Sequence, residues 1–240
     1  MSEPNFTKKE EDFTHHTNRM EPLGENTYRI TKIEVQKNRK DRVNVFLDDG
    51  FAFGLDQEVV LRHHLHEGDA LSESLIGNIL LAEEKARAKE KALSYLGYRA
   101  RSAEELKKKL LKKGFSDKTI QAIVDDFRRV GLLDDRQFAE TYVHSRMIQK
   151  PMGKRLLRKE LLSKGIDEEM IDRAIEEAYG NRCETEVAKD LIQKKLQSTH
   201  SKEKESKIQK KKLTDFLLRR GFDWEVISEV FQEEPWEKAN

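Results

Sequence analysis

The chain has 240 residues, 36% of them hydrophobic and 38% charged, with a mean hydropathy of −0.82. That balance argues against an enzyme with a thick core and for a helical architecture with much surface. No run of about 18 apolar residues could span a membrane, the first twenty residues lack the apolar stretch of a secretory signal, and the one cysteine, Cys183, excludes an internal disulfide or a cysteine-built metal site; a cytoplasmic protein is expected.

The net charge of +1 hides an asymmetry. Residues 1–84 hold 10 basic and 17 acidic side chains, so the remainder of the chain carries the basic surplus. The surplus points to an anionic partner, nucleic acid first among candidates, although a basic solvated face is the commoner source of such a surplus.

Residues 1–26 are polar and aperiodic and read as a disordered tail. Strand signals come next. Tyr28 to Gln36 is one; Val43, Val45 and Leu47 alternate with Arg42, Asn44 and Phe46; Phe51, Phe53 and Leu55 alternate with Ala52 and Gly54. Between the last two stands Asp48-Asp49-Gly50, and Asp-Gly suits a tight hairpin whose central residues take positive φ. A meander of about 30 residues needs a covering helix, and Asp56 is positioned to cap one running through Val59, Val60 and Leu65 to Gly68. His63 and His66 share one face of it while His64 points away, and no cysteine lies near, so they read as an exposed helix end and not as metal ligands. No metal or cofactor is expected.

From Glu84 the pattern is helical, and it repeats. Aligned on Gly114, Gly165 and Gly221, the segments 106–124, 157–175 and 213–231 share Leu106, Leu157 and Leu213 eight residues before the glycine. Leucine pairs stand three and four before it: Leu110–Leu111, Leu161–Leu162 and Leu217–Leu218. Ile120, Ile171 and Ile227 stand six after it. The glycine ends one amphipathic helix in a left-handed conformation, and Ser116, Asp167 or Asp223 caps the next. Ser102-x-x-Glu105 forms a capping box for the first unit. Further helices are expected at Ala86–Tyr98, Gln137–Ile148 and Thr185–Leu196, with a polar loop over Ser198–Ser206. The fold expected is therefore mainly α, an elongated array of three tandem three-helix repeats (84–134, 135–181, 182–240) preceded by a small β-meander plus helix (27–83).

Catalytic signatures are absent: no GxGxxG, no GxxxxGK[ST], no HExxH. Cys183 reads as an idle thiol. The informative feature is basic. Residues 97–113 carry a surplus of five positive charges, 146–164 six and 202–220 five. The candidate contacts for DNA or a partner are Arg99, Arg101, Lys107, Lys108, Lys109, Lys112 and Lys113 in the first repeat. In the second they are Arg146, Lys154, Arg155, Arg158 and Lys159. In the third they are Lys210, Lys211, Lys212, Arg219 and Arg220. Cations at a helix C-terminus favour its dipole, which accounts for Lys112, Lys113, Arg219 and Arg220 without any ligand. It does not account for Lys107–Lys109, or for Lys154 and Arg155 at a helix start. Tyr95, Tyr98, Phe138 and Tyr142 interleave with this charge, and the i, i+4 spacing of Phe138 and Tyr142 favours core packing over base stacking.

Several stretches together resemble the RecX family of bacterial regulators of the RecA recombinase. They are Ala92-Leu93-x-Tyr95-Leu96, Arg99-x-Arg101-Ser102-x-x-Glu105-Leu106, Gly131-Leu132-Leu133-Asp134-Asp135-x-x-Phe138-Ala139, and Glu160-Leu161-x-x-Lys164-Gly165-Ile166. Ile33-x-x-Gln36 and Arg42-Val43-Asn44-Val45 are similar to the N-terminal extension of longer members. The resemblance implies a non-enzymatic regulator, mainly an inhibitor, acting in recombination, DNA repair and the SOS response. It would lie as a monomer along the RecA–DNA filament, limiting filament extension, ATP hydrolysis and strand exchange. It also implies contact with single- or double-stranded DNA without sequence specificity. The residues alone leave two alternatives open: a stand-alone DNA-binding protein with helix-turn-helix-like units, and a structural scaffold.

Overall fold

The computed structural model describes residues 27–180, 182–198 and 206–233. The expected tail (1–26) and the centre of the expected loop (199–205) lie outside the described residues. Among the described residues two compact units emerge, one comprising 27–94 with Phe115–Ile123, the other Tyr95–Gly114 with the described residues from Val124 on.

In the first unit, β1 (Thr27–Val35), β2 (Arg42–Leu47) and β3 (Gly50–Asp56) form the expected antiparallel meander. Val43, Val45, Leu47 and Leu55 are buried on one face with Ile30. Three details differ from expectation. Leu47 pairs with Gly50, so the two loop residues are Asp48 and Asp49, both at positive φ (47° and 64°), and not Asp49-Gly50. A bulge between Val45 and Phe46 breaks the register, so Phe51 pairs with Phe46 and stands exposed, edge-on to its ring, instead of joining the core. A fourth strand, β4 (Ala70–Ser72), pairs with β1 and gives the order β3-β2-β1-β4.

Asp56 caps α1 (Gln57–Arg62) by accepting from the Glu58 N–H (2.8 Å). The helix stops at Arg62, short of Gly68, because His64 turns left-handed (φ 50°). The helix expected from Ala86 is longer than its periodicity suggests: α2 runs Glu73–Tyr98. It is fixed to the sheet by Glu83, which takes both the Arg42 guanidinium (2.6 Å) and the Asp56 N–H (2.7 Å) in a buried pair. Farther along, Glu84 accepts from the Ser116 N–H and the Thr119 hydroxyl (2.7 and 2.9 Å).

The repeats continue as α3 (Ala103–Leu111) and α4 (Asp117–Arg129); α5 (Asp135–Gln149), α6 (Lys154–Ser163) and α7 (Glu168–Tyr179); and α8 (Glu184–Ser198), α9 (Ser206–Arg219) and α10 (Trp224–Glu233). The repeat alignment holds in three dimensions. Gly114, Gly165 and Gly221 all take positive φ, 82°, 73° and 82°. Leu106, Leu157, Leu213, Leu110, Leu161, Leu217, Ile120, Ile171 and Ile227 are all buried, while Leu111, Leu162 and Leu218 face solvent. Ser102 caps as expected (Glu105 N–H, 3.1 Å), but the box is half built, because Glu105 turns to Arg99 and Lys164. Asp167 stands at an N-cap without a side-chain capping bond.

Successive repeats meet through one joint used twice within the second unit. The Lys164 carbonyl, ending α6, accepts from the Ser102 hydroxyl (2.6 Å) at the start of α3; the Arg220 carbonyl, ending α9, accepts from the Gly153 N–H (2.9 Å) at the start of α6. The next backbone N–H is taken each time by an acid from the following repeat: Ala103 by Asp135, Lys154 by Glu184, both at 2.8 Å. Helix ends that would leave orphan groups thus satisfy one another, with dipoles head to tail. Space there is minimal: a Cβ on Gly153 would sit 2.3 Å from the Gly221 carbonyl oxygen, and one on Gly165 would sit 2.4 Å from the Glu104 Cβ.

Candidate nucleic-acid interface

The cations of the candidate surface fall into three physical groups. The first is drawn into the fold. Arg101 is 7% exposed; its Nε donates to the Tyr95 carbonyl (3.1 Å), its guanidinium lies over the Tyr95 ring, and burial with Arg99 nearby lowers its pKa. Arg146 donates to the Tyr142 hydroxyl (2.8 Å) and reaches Glu160 (3.1 Å). Arg220 donates to the Pro151 carbonyl (2.8 Å) and lies over Phe216, with burial lowering its pKa. Arg99 stays exposed but grips the half-buried Glu105 through two nitrogens (3.0 and 3.2 Å).

The second group is engaged at the surface. Lys108 pairs with Glu104 (3.2 Å), Arg155 with Asp223 (3.0 Å), and Arg158 with Asp172. The ammonium groups of Lys109, Lys154 and Lys210 stand over the rings of Tyr95, Tyr179 and Phe231 at 5.1, 5.1 and 5.2 Å. Exposed pairs of this kind are worth about 0–1 kcal/mol, so a phosphate can displace the carboxylate at little cost.

The third group is open. Lys112, Lys159, Lys211 and Arg219 are exposed and Lys107 is half-buried, and among the described residues none of the five has an ion-pair partner. Lys113 and Lys212 are exposed as well but already engaged, and do not belong to this group.

Aligning the repeats on Leu106, Leu157 and Leu213 shows that the cations do not recur at equal positions. Lys107 and Lys108 match Arg158 and Lys159 but then Thr214 and Asp215. Only the position just before the turn glycine is basic throughout: Lys113, Lys164 and Arg220. Lys164 stands in the quoted Lys164-Gly165-Ile166 motif but not among the candidate contacts, although its place in the repeat signals it. Its ammonium meets Glu105 at 2.8 Å and lies 5.0 Å from the Tyr142 ring centre. Burial alone would raise the Glu105 carboxyl; hydrogen bonds from Arg99 and Lys164 outweigh it and bring the pKa down to about 2. Glu184 differs: burial pushes it up, against the pull of the Lys154 N–H.

The aromatic residues divide. Phe138 and Tyr142 stack at 5.9 Å as core packing requires, whereas Tyr98 is 85% exposed and is not a core residue.

Comparison with known proteins agrees with this architecture repeat by repeat. Residues 28–72 match the family model for the RecX regulatory protein N-terminal domain, and 88–127, 134–175 and 183–231 match the models for the first, second and third RecX three-helix domains. Regulatory protein RecX of Bacillus licheniformis is 37% identical over 208 residues, covering 87% of this chain and 78% of that one. Its counterpart in Clostridium acetobutylicum is 32% identical over 212 residues, covering 88% and 97%. Among solved structures, a crystal structure of regulatory protein RecX superposes with a TM-score of 0.65 at 29% identity, covering 86% of this chain and all of that one. RecX from Lactobacillus salivarius superposes with a TM-score of 0.54 at 25% identity, covering 63% and 97%.

Proposed function

This chain belongs to the RecX family of regulatory proteins, and from that premise we propose that it regulates the RecA recombinase, mainly as an inhibitor and without catalysis of its own. It binds along the RecA–DNA filament as a monomer, in the cytoplasm, and limits filament extension, ATP hydrolysis and strand exchange. The observation that carries the reading is the full set of four RecX domains in order along one chain. The cations support it physically. Tandem repeats offering open or exchangeable basic groups suit a polyanionic track whose phosphates recur at regular spacing. Such groups position a protein on nucleic acid without reading its sequence, so duplex and single strands of any sequence serve.

Co-sedimentation with RecA filaments assembled on single-stranded DNA tests the proposal. The chain should pellet with filaments at far less than one copy per RecA protomer and slow strand exchange in step. Pelleting with naked DNA alone, with strand exchange unaffected, would refute it.

A further inference from the structure

Two adjoining hollows in the second unit share Ile148, Pro151, Leu191 and Lys194 and form one cleft where the end of α5 meets α8 and α9. One half is mixed. Met147, Ala178, Val187 and Leu191 give a cavity of about 280 Å³ an apolar wall, near the lower bound of small-molecule sites, and His144, Tyr179, Arg182 and Asp190 complete it. Ile148 stands at its mouth, 68% exposed although fully apolar. The other half is cationic: Lys150, Lys194, Lys195 and Arg220 converge there with no carboxylate in the lining. Lys195 and Arg220 flank the same Phe216 ring, at 5.8 and 5.1 Å from its centre. Arg220 is held rigid by the Pro151 carbonyl. The lone acid of the cleft, Asp190, is already paired with Arg182.

Like charges gathered in one place disfavour one another, and an anion seated among them relieves the repulsion. Among the described residues no carboxylate lines this half; Lys195 is already engaged, but an anion arriving from outside meets the exposed Lys150 and Lys194 together with Arg220. We propose that this cleft binds single-stranded nucleic acid, with phosphates at the Lys150–Lys194–Arg220 end and an unstacked base lodged against the apolar wall of the other half. The two halves are contiguous, as phosphate and base are in one nucleotide. A base paired within a duplex cannot enter a side cleft without being extruded, so single strands are preferred. The apolar wall holds the base by burial. The inference deepens the functional reading above and rests on it, since it gives one site for the nucleic acid of the filament. Lys194 and Lys195 lie outside all three segments of basic surplus in the sequence.

The test uses the full chain and a fluorescein-labelled oligodeoxythymidylate, read by anisotropy across a salt series, without RecA. Lys150→Gln with Lys194→Gln should lower the slope of log K against log salt by about 1.4, and weaken binding about twenty-fold at 0.1 M salt, as two fewer neutralised phosphates on a single strand require. Ile148→Asp, on an exposed side chain, should weaken single-strand binding more than duplex binding. Circular dichroism melts of the same variants should match the parent. Unchanged affinity and slope in both variants would overturn the proposal, and so would equal displacement of the oligonucleotide by polyglutamate, which would mark the cleft as a peptide site. Inhibition of RecA measured in parallel separates the questions. Loss of oligonucleotide binding with inhibition retained keeps the cleft, and normal oligonucleotide binding without inhibition refutes the regulatory reading alone.

Discussion

Gly153→Ala puts the inter-repeat joint to the sharpest test. Its Cβ would stand 2.3 Å from the Gly221 carbonyl oxygen and 2.6 Å from the Phe222 nitrogen, so backbone must move, not a side-chain tip. Gly221 packs as closely on the same helix, where a Cβ of its own would stand 2.2 Å from the Leu156 Cβ, and it sits at φ +82°. The opening breaks the hydrogen bond from the Gly153 N–H to the Arg220 carbonyl, worth about 1 kcal/mol, and adds an overpacking cost of about 1–3 kcal/mol. A destabilisation of about 2–4 kcal/mol should fall on the joint, which amounts to about 30- to 1,000-fold faster amide exchange. Hydrogen–deuterium exchange by mass spectrometry should show it in peptides spanning Arg155–Leu161 and Leu213–Ile227, with β1–β3 unaffected. Gly77→Ala is the control: it lies inside α2 with nothing within 4 Å of the added carbon, and should stabilise by about 0.5–1 kcal/mol. If Gly153→Ala left exchange around Gly221 at the parent level, the close backbone approach would be wrong.

Leu110→Ala should cost about 2–5 kcal/mol in urea unfolding, since the side chain is fully buried at a position filled in all three repeats; a cost below about 0.5 kcal/mol, the surface range, would contradict the alignment. Glu105 has a folded pKa of about 2 against an ordinary 4.5, so its stabilisation is complete above about pH 4.5 and drains away as pH falls toward 2. At about 1.4 kcal/mol per pKa unit the contribution is on the order of 3 kcal/mol. Glu105→Gln should therefore flatten the stability profile between pH 5 and 3, and an identical profile would refute the pairing with Arg99 and Lys164. Replacing the open cations Lys107, Lys112, Lys159, Lys211 and Arg219 by glutamine should leave the melt nearly unchanged. It should also lower the salt slope of binding to single-stranded DNA by about 0.7 for each of these side chains that neutralises a phosphate. An unchanged slope would remove these residues from the interface.

The repeat architecture is legible in the sequence because its signals occur three times. A turn glycine with leucines at fixed offsets is ambiguous once and unambiguous in three copies. The meander is legible through alternation, but alternation is blind to a bulge, so it places Phe51 in the core and the hairpin tip one residue too late. β4, three residues long, offers no period to detect. The length of α2 is obscured by Gly77 and by the expectation that a helix beginning at Asp56 reaches Gly68. The cations are the hardest part. Their number is written in the sequence, yet whether each is free depends on acids distant in the chain: Glu105 holds Lys164 across 59 residues, and Asp172 holds Arg158 across 14. No local pattern encodes those pairs. The cleft beside α8 is hidden for the same reason, because Lys150, Lys194 and Arg220 come together only when the repeats pack.

The central claim, regulation of RecA, is tested most directly by titrating this chain into RecA hydrolysing ATP on single-stranded DNA. Hydrolysis should fall progressively and reach a low plateau at far less than one copy per RecA protomer, because each bound copy limits extension of a filament many protomers long. Hydrolysis unchanged up to equimolar chain, under salt conditions where the chain binds the filament, would contradict it.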